Sequence, residues 1–199
     1  MERRLHTNTS SNPPATPLAN YSNVAFDRGS SRVKEVLWIF AQWVILQSPL
    51  PGSSFRRIVL RAFGAKIGKS VVIKPGTIIK FPWRLVIGDS SWIGQDVWID
   101  NLADVAIGSN VCISQGAYLC TGSHDWSSST FDLIVKPITI VDGAWLAAKS
   151  TIGPGVTVGE GAVLGLGSVT SKDLEPWSVY SGSPAVFVKK RILNSPKPL

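Results

Sequence analysis

Histidine and cysteine are scarce in this chain of 199 residues, two of each, and that scarcity limits what the protein can be. Cys112 and Cys120 cannot build a disulfide framework, and their spacing matches no zinc motif, so a reducing cytoplasm is the simplest setting. His6 and His124 are too few for a three-histidine zinc site, and no metal is expected. Long apolar runs are also missing. The most extended stretch, VKEVLWIFAQWVILQ at 33–47, has about 15 residues where a membrane-spanning helix needs roughly 20, and it begins too late for an ordinary secretory signal. No zinc finger or RNP-like motif occurs in the basic segments, which argues against nucleic acid as a partner.

Charge is present but unevenly spread. Of the net +7, residues 1–66 carry nine Lys/Arg against three Asp/Glu, residues 67–183 seven against ten, and residues 184–199 four against none. A mildly acidic middle between basic ends suits an anionic surface or a polyphosphate ligand at one edge, or simply solvated lysines.

Residues 1–31, rich in Ser, Asn, Thr and Pro, have no sustained apolar period and read as a polar tail, flexible unless docked on the body. Residues 32–66 read as two helices joined by a Pro-Gly turn. In SSFRRIVLRAFGAKIG, apolar residues alternate with Arg56, Arg57 and Arg61 at helical spacing. Such a pair can cap the open end of a repeat array, or lie with a basic, aromatic face on an anionic membrane.

From Ile67 the chain falls into hexads. Aliphatic residues recur at 67, 73, 79, then 87, 93, 99, then 107, 113, 119, and at 140, 146, 152, 158 and 164. A small or β-branched residue usually stands two places earlier, and glycine often follows directly, as at Gly68, Gly88 and Gly108. A strict period of six fits neither a helix nor a long strand, but it fits a coil of three short strands. The aliphatic fills the interior, while glycine relieves a corner that is crowded or needs positive φ. Extra residues near 81–83 and 101–104, and the long excursion at 120–137, bulge outward from corners.

This pattern resembles the hexapeptide-repeat acyltransferases. The segments ISQGAYLCTGSHDW and PITIVDGAWLAAKSTIGPGVTVGEGAVLGLGSVTSKDLEPWSVYSGSPAVFVKKR look most like the colanic acid biosynthesis acetyltransferases, relatives of the galactoside and maltose O-acetyltransferases. The resemblance covers roughly 33–191. It implies a mainly β fold, a left-handed parallel β-helix over 67–175 carrying the loop 120–137, with a C-terminal closing segment and basic tail at 176–199. It also implies a homotrimer and acetyl-CoA as co-substrate, with a sugar or glycan hydroxyl as acceptor. That acceptor, an exopolysaccharide precursor, would place the protein in the cytoplasm, with the basic, apolar residues 33–63 suited to peripheral contact with an anionic membrane.

Moving acetyl from a thioester to an alcohol needs a base beside the hydroxyl, and imidazole titrates in the right range. His124 follows the same Thr-Gly run as the family's histidine, so the resemblance makes it the base of a direct transfer. Asp125, Asp132 or another carboxylate would orient its second nitrogen. Cys120, four residues away, is the rival nucleophile, although packing at a corner explains it adequately. The family's CoA contacts fall on Trp145, Ala148, Leu166, Ser171, Lys172 and Lys189, and Leu166 departs from the usual alanine. Lys172 and Lys189 can pair with phosphates, and Trp145 offers a flat apolar face. Gly182, Pro184 and Ala185 match the family's closing turn. The β-helix also carries γ-type carbonic anhydrases, which the histidine count disfavours. A non-catalytic structural or interaction protein is the alternative, one for which a loop with a histidine has no evident use.

Overall fold

A computed structural model describes residues 18–50 and 52–194. His6, the first part of the polar tail, Pro51 of the Pro-Gly turn and the last five residues lie outside this range.

The hexads form a three-sided parallel solenoid. One face stacks Lys66–Ile67, Leu85–Ile87, Val105–Ile107, Ile138–Ile140 and Thr157–Val158. The second stacks Val72–Ile73, Trp92–Ile93, Cys112–Ile113, Trp145–Leu146 and Val163–Leu164. The third stacks Ile78–Ile79, Trp98–Asp100, Tyr118–Cys120, Thr151–Ile152 and Val169–Thr170. All fourteen aliphatics of the hexad pattern are buried, as are small residues two places earlier such as Val71, Ala117, Ala144 and Ala162. Each inward aliphatic contributes roughly 1.5–3 kcal/mol of apolar burial. The row ends at Thr170, whose Oγ1 donates to the Lys172 carbonyl at 2.8 Å, and the coil is closed by a hairpin of Ser178–Gly182 and Ala185–Lys190.

The glycines that follow the aliphatics are required by close approach rather than by positive φ. A Cβ on Gly88 would stand 2.6 Å from the Gly108 carbonyl carbon and from the Ser109 nitrogen of the next coil. The left-handed residues sit instead three or so places after the aliphatic, where Ser70, Ser90 and Asn110 share the duty with Gly76, Gly116 and Gly167.

At the N-terminal end, helix α1 (Arg32–Ala41) runs into a π-helical turn, Gln42–Leu46, and helix α2 (Ser53–Ala62) follows. Ser31 caps α1 by accepting from the Lys34 amide. Trp38, Leu46 and Leu60 plug the coil, and polar groups answer its unpaired backbone. The Trp38 indole donates to the Ile79 carbonyl at 2.9 Å, and the Gln42 amide oxygen accepts from the Ile79 nitrogen at 2.6 Å. Arg57 donates to the Val71 carbonyl and Arg61 to that of Ile67. Arg56 is buried and ties down the carbonyls of Ser48, Leu50 and Gly52. The alternating arginines of α2 are therefore cap ligands. Opposite the plug, α1 exposes Val33, Val36, Leu37 and Phe40, and no described helix is long and apolar enough to cross a membrane.

Residues 18–31 dock on the body. Arg28 forms an ion pair with Glu35 and lies 5.5 Å over the Phe81 ring, while the Trp83 indole donates to the Arg28 carbonyl at 2.8 Å. Phe26 stacks near Phe81, and Arg84 donates to the Asp27 carbonyl. This strap crosses the corner between the third and first faces.

Gly88→Ala should lower stability by about 2–3 kcal/mol, an overpacking cost against rigid backbone. Gly167→Ala, left-handed but with open space around it, should cost only about 1 kcal/mol. Urea unfolding of the two variants checks the order.

Candidate active site

The corner between the third and first faces carries every large excursion. Phe81, Asn101 and Thr121 stand in successive coils two places beyond the inward aliphatic, and all three are buried. Asn101 imitates a strand there: its Oδ1 accepts from the Phe81 nitrogen at 2.9 Å and its Nδ2 donates to the Phe81 carbonyl at 2.7 Å. Thr121 Oγ1 accepts from the Ala103 nitrogen at 3.0 Å and donates to the Asp100 carbonyl at 2.9 Å. This polar column fixes the root of the excursion. Sequence reasoning missed Asn101 and Thr121, although their shared offset from the repeat marked them.

Beyond Thr121 the chain forms an antiparallel hairpin, Gly122–His124 paired with Leu133–Val135. His124 Nδ1 lies 2.9 Å from the Phe131 carbonyl oxygen. A carbonyl only accepts, so in the neutral ring Nδ1 carries the proton and Nε2 carries the lone pair. The ring stacks on Phe131 at 4.2 Å between centroids with 5° between planes, and Tyr21 of the strap meets it edge-on at 5.3 Å. Phe131 has φ of 53°, a left-handed conformation unusual for a bulky residue, so backbone strain resides at the group that aims the imidazole.

The orienting group is thus a backbone carbonyl. Asp125 and Asp132 brace the tip instead: Asp125 accepts from the Ser127 amide and hydroxyl, and Asp132 from the Ser128 hydroxyl. Those Ser127 bonds hold the Asp125 carboxyl below its ordinary value. Cys120 donates its thiol to the Gly122 carbonyl at 3.2 Å and sits beside Tyr118 on the outer side of the third face. Burial, with Cys120 and Asp100 adding to it, pushes the Tyr118 phenol up, and its hydroxyl donates to Asp100 Oδ2 at 3.3 Å.

The six residues matched to CoA contacts fall at separate places. Trp145 lies half-exposed on the second face, its indole donating to Ser114 Oγ at 3.0 Å. Ala148 and Leu166 stack in successive coils at the corner between the second and third faces, where the Gly167 amide donates to the Ala148 carbonyl. Leu166 points outward and is 74% exposed, so its extra bulk does not enter the coil. Ser171 and Lys172 share the far corner of the third face with His124, two coils beyond the one that carries its hairpin. Lys189 is exposed on the closing hairpin, paired in register with Val179. Its neighbours in the basic cluster are structural: Lys190 pairs with Glu175, and Arg191 donates to the Gly143 and Gly161 carbonyls. The chain by itself does not gather these groups into a single pocket: Ala148 and Leu166 stand at one edge of the third face, Ser171 and Lys172 at the other, and Trp145 and Lys189 belong to the second sheet.

Beside His124, the strap and the hairpin enclose a cleft of about 490 Å³.

No protein-family profile matches the chain. The solenoid fold is shared with the hexapeptide-repeat acetyltransferase VCA0836 of Vibrio cholerae, solved in complex with acetyl coenzyme A. The two are 25% identical with a TM-score of 0.75, over 83% of this chain and 92% of that one. The galactoside O-acetyltransferase of Escherichia coli is 26% identical over 138 residues, 68% of each chain. WcaF of Escherichia coli, named as a colanic acid biosynthesis acetyltransferase, is 43% identical over 176 residues, 88% of this chain and 97% of WcaF. The chain belongs to the hexapeptide-repeat acetyltransferase family, in the colanic acid acetyltransferase branch that WcaF represents, and its solenoid is the family's left-handed parallel β-helix.

The Arg28 ion pair gives the strap a pH dependence. The side-chain hydrogen bond from Arg28 holds the Glu35 carboxyl below its ordinary value. A depressed carboxylate stabilises above its unfolded value, about 4.3, and loses that contribution as pH falls through the lower folded value. Hydrogen-exchange protection factors over 18–31, corrected for intrinsic rates, should hold from pH 7 to 5 and fall below about pH 4. Arg28→Ala should lower them at neutral pH.

Proposed function

We propose that the protein is an O-acetyltransferase that moves acetyl from acetyl-CoA to a sugar hydroxyl of an exopolysaccharide precursor by direct transfer. The observation that carries this reading is the Nδ1 contact of His124 with the Phe131 carbonyl, which leaves Nε2 as a base. His124 Nε2 takes the acceptor hydroxyl proton as the oxygen attacks the thioester carbonyl. Backbone N–H groups along the donor groove stabilise the tetrahedral oxyanion, and collapse releases CoA as thiol with the proton returned from the imidazolium.

Acetyl-CoA as donor is supported by the VCA0836 complex. Trp145, Ala148, Leu166, Ser171, Lys172 and Lys189 are the proposed donor contacts, with Lys172 and Lys189 on its phosphates. Their spread over the second sheet and both edges of the third face favours a homotrimer in which one protomer's second face meets its partner's third-face corner. Acetyl-CoA and a nucleotide- or lipid-linked acceptor fit a cytoplasmic setting. The outward row Val33, Val36, Leu37 and Phe40, with exposed Arg32 alongside, supports peripheral contact with an anionic membrane.

Cys120 serves no covalent step in this scheme, since its thiol is engaged with the Gly122 carbonyl and His124 Nδ1 with the Phe131 carbonyl rather than with sulfur. Steady-state assay of CoA release should show His124→Ala losing about 10² to 10⁴-fold in kcat and Cys120→Ala retaining activity. Equal losses would replace direct transfer by an acyl-enzyme. Sedimentation with phosphatidylglycerol vesicles should pull down the wild type and fail for Phe40→Asp, whereas no binding by the wild type would leave the α1 face to another role.

A further inference from the structure

The cleft beside His124 has a chemistry of its own. Antiparallel pairing places His124 opposite Leu133 and Gly122 opposite Val135, so these four project from one side of the hairpin. Leu133, the register partner of His124, and Val135 line the cleft together with Asp132, so the cleft adjoins the imidazole without the imidazole forming part of its wall. The opposite wall is the strap, through Asn23, Ala25 and Phe26, and Tyr21 at its start touches the His124 ring. Both walls are held: the strap by Arg28, Trp83 and Arg84, and the hairpin by the Asn101 and Thr121 column. A cleft of about 490 Å³ lies within the usual range for small-ligand sites.

Charge selects among ligands. Arg84 is the basic residue of the lining, and its guanidinium is committed to the Leu102 and Asp27 carbonyls and lies 3.8 Å from the Asp27 carboxylate. That leaves Asp132 as an uncompensated negative group, with Asn23 offering an amide that both donates and accepts. Such walls repel phosphates and uronates and offer hydroxyl groups partners of both kinds, while Phe26, Leu133 and Val135 supply apolar surface for the faces of a pyranose.

We propose that this cleft is a subsite for neutral sugar units of the acceptor, adjoining the unit whose hydroxyl reaches His124. The inference rests on the acetyltransferase reading for its biological meaning, but the binding it describes can be measured without catalysis. Ala25 faces the cleft, is exposed, and touches neither the imidazole nor the proposed donor contacts, so Ala25→Trp fills the space.

Saturation-transfer NMR with lactose, cellobiose and maltose, and with cellobiouronic acid as the charged counterpart, tests it on the full-length protein. At least one neutral disaccharide should give saturable transfer that Ala25→Trp reduces tenfold or more, and the uronic acid should bind more weakly than its neutral parent. Melting temperature and acetyl-CoA affinity unchanged in the variant, with Ala25→Ser as the small control, separate blockage from misfolding. Unaltered disaccharide binding in Ala25→Trp, preference for the uronic acid, or no binding of any neutral disaccharide would overturn the subsite. Binding that Ala25→Trp abolishes, in a protein that transfers acetyl to no sugar, would keep the subsite and sink the transferase reading.

Discussion

The architecture depends on how closely one coil lies upon the next. Parallel ladder bonds set that spacing at about 4.8 Å, and at corners such as Gly88 nothing larger than hydrogen fits between the layers. Once the spacing is rigid, an insertion cannot separate two coils; it has to leave the stack sideways. The excursions at 81–84, 101–104 and 121–137 all leave by the same corner, and His124 stands where the repeat yields. A rigid scaffold thereby positions a loop that has little core of its own.

Holding a loop to catalytic tolerance requires more than a rigid base. The hairpin is rooted by side chains that stand in for backbone, with Asn101 pairing both polar groups of Phe81. At its far end the precision comes from Phe131, whose left-handed backbone turns a carbonyl toward His124 while its ring stacks beneath the imidazole. Each interaction fixes a different freedom of the histidine: the carbonyl sets the tautomer, the stack sets the plane, and Tyr21 limits rotation within it.

The coil was legible because its signal repeats. Fourteen aliphatics at six-residue steps in four runs cannot arise from helix or strand periodicity, and all fourteen are buried. The glycine rule was readable as a position but not as a cause, since crowding between layers is a tertiary fact. His124 stood out as a histidine inside an interruption. Its orienting partner did not, because a backbone carbonyl leaves no trace in residue identity, and the nearby carboxylates Asp125 and Asp132 were the natural suspects. The polar tail was the least legible segment. Its docking at 18–31 relies on Arg28, Phe26 and Tyr21 meeting partners 50 to 100 residues away, and no local pattern announces such contacts.

The position of the cap at the N-terminus bears on how the chain acquires its shape during synthesis. A solenoid grows by templating, each layer offering open backbone edges to the next, and the first layer needs a template that is not itself a layer. Trp38, Gln42, Arg57 and Arg61 supply it, and they leave the ribosome before the edge they bind. The strap can settle on residues 81–84 while the hairpin is still unmade, so Tyr21 waits in place for His124. Assembly then proceeds in the order of translation, and the hairpin that carries His124 arrives onto a surface already built to receive it.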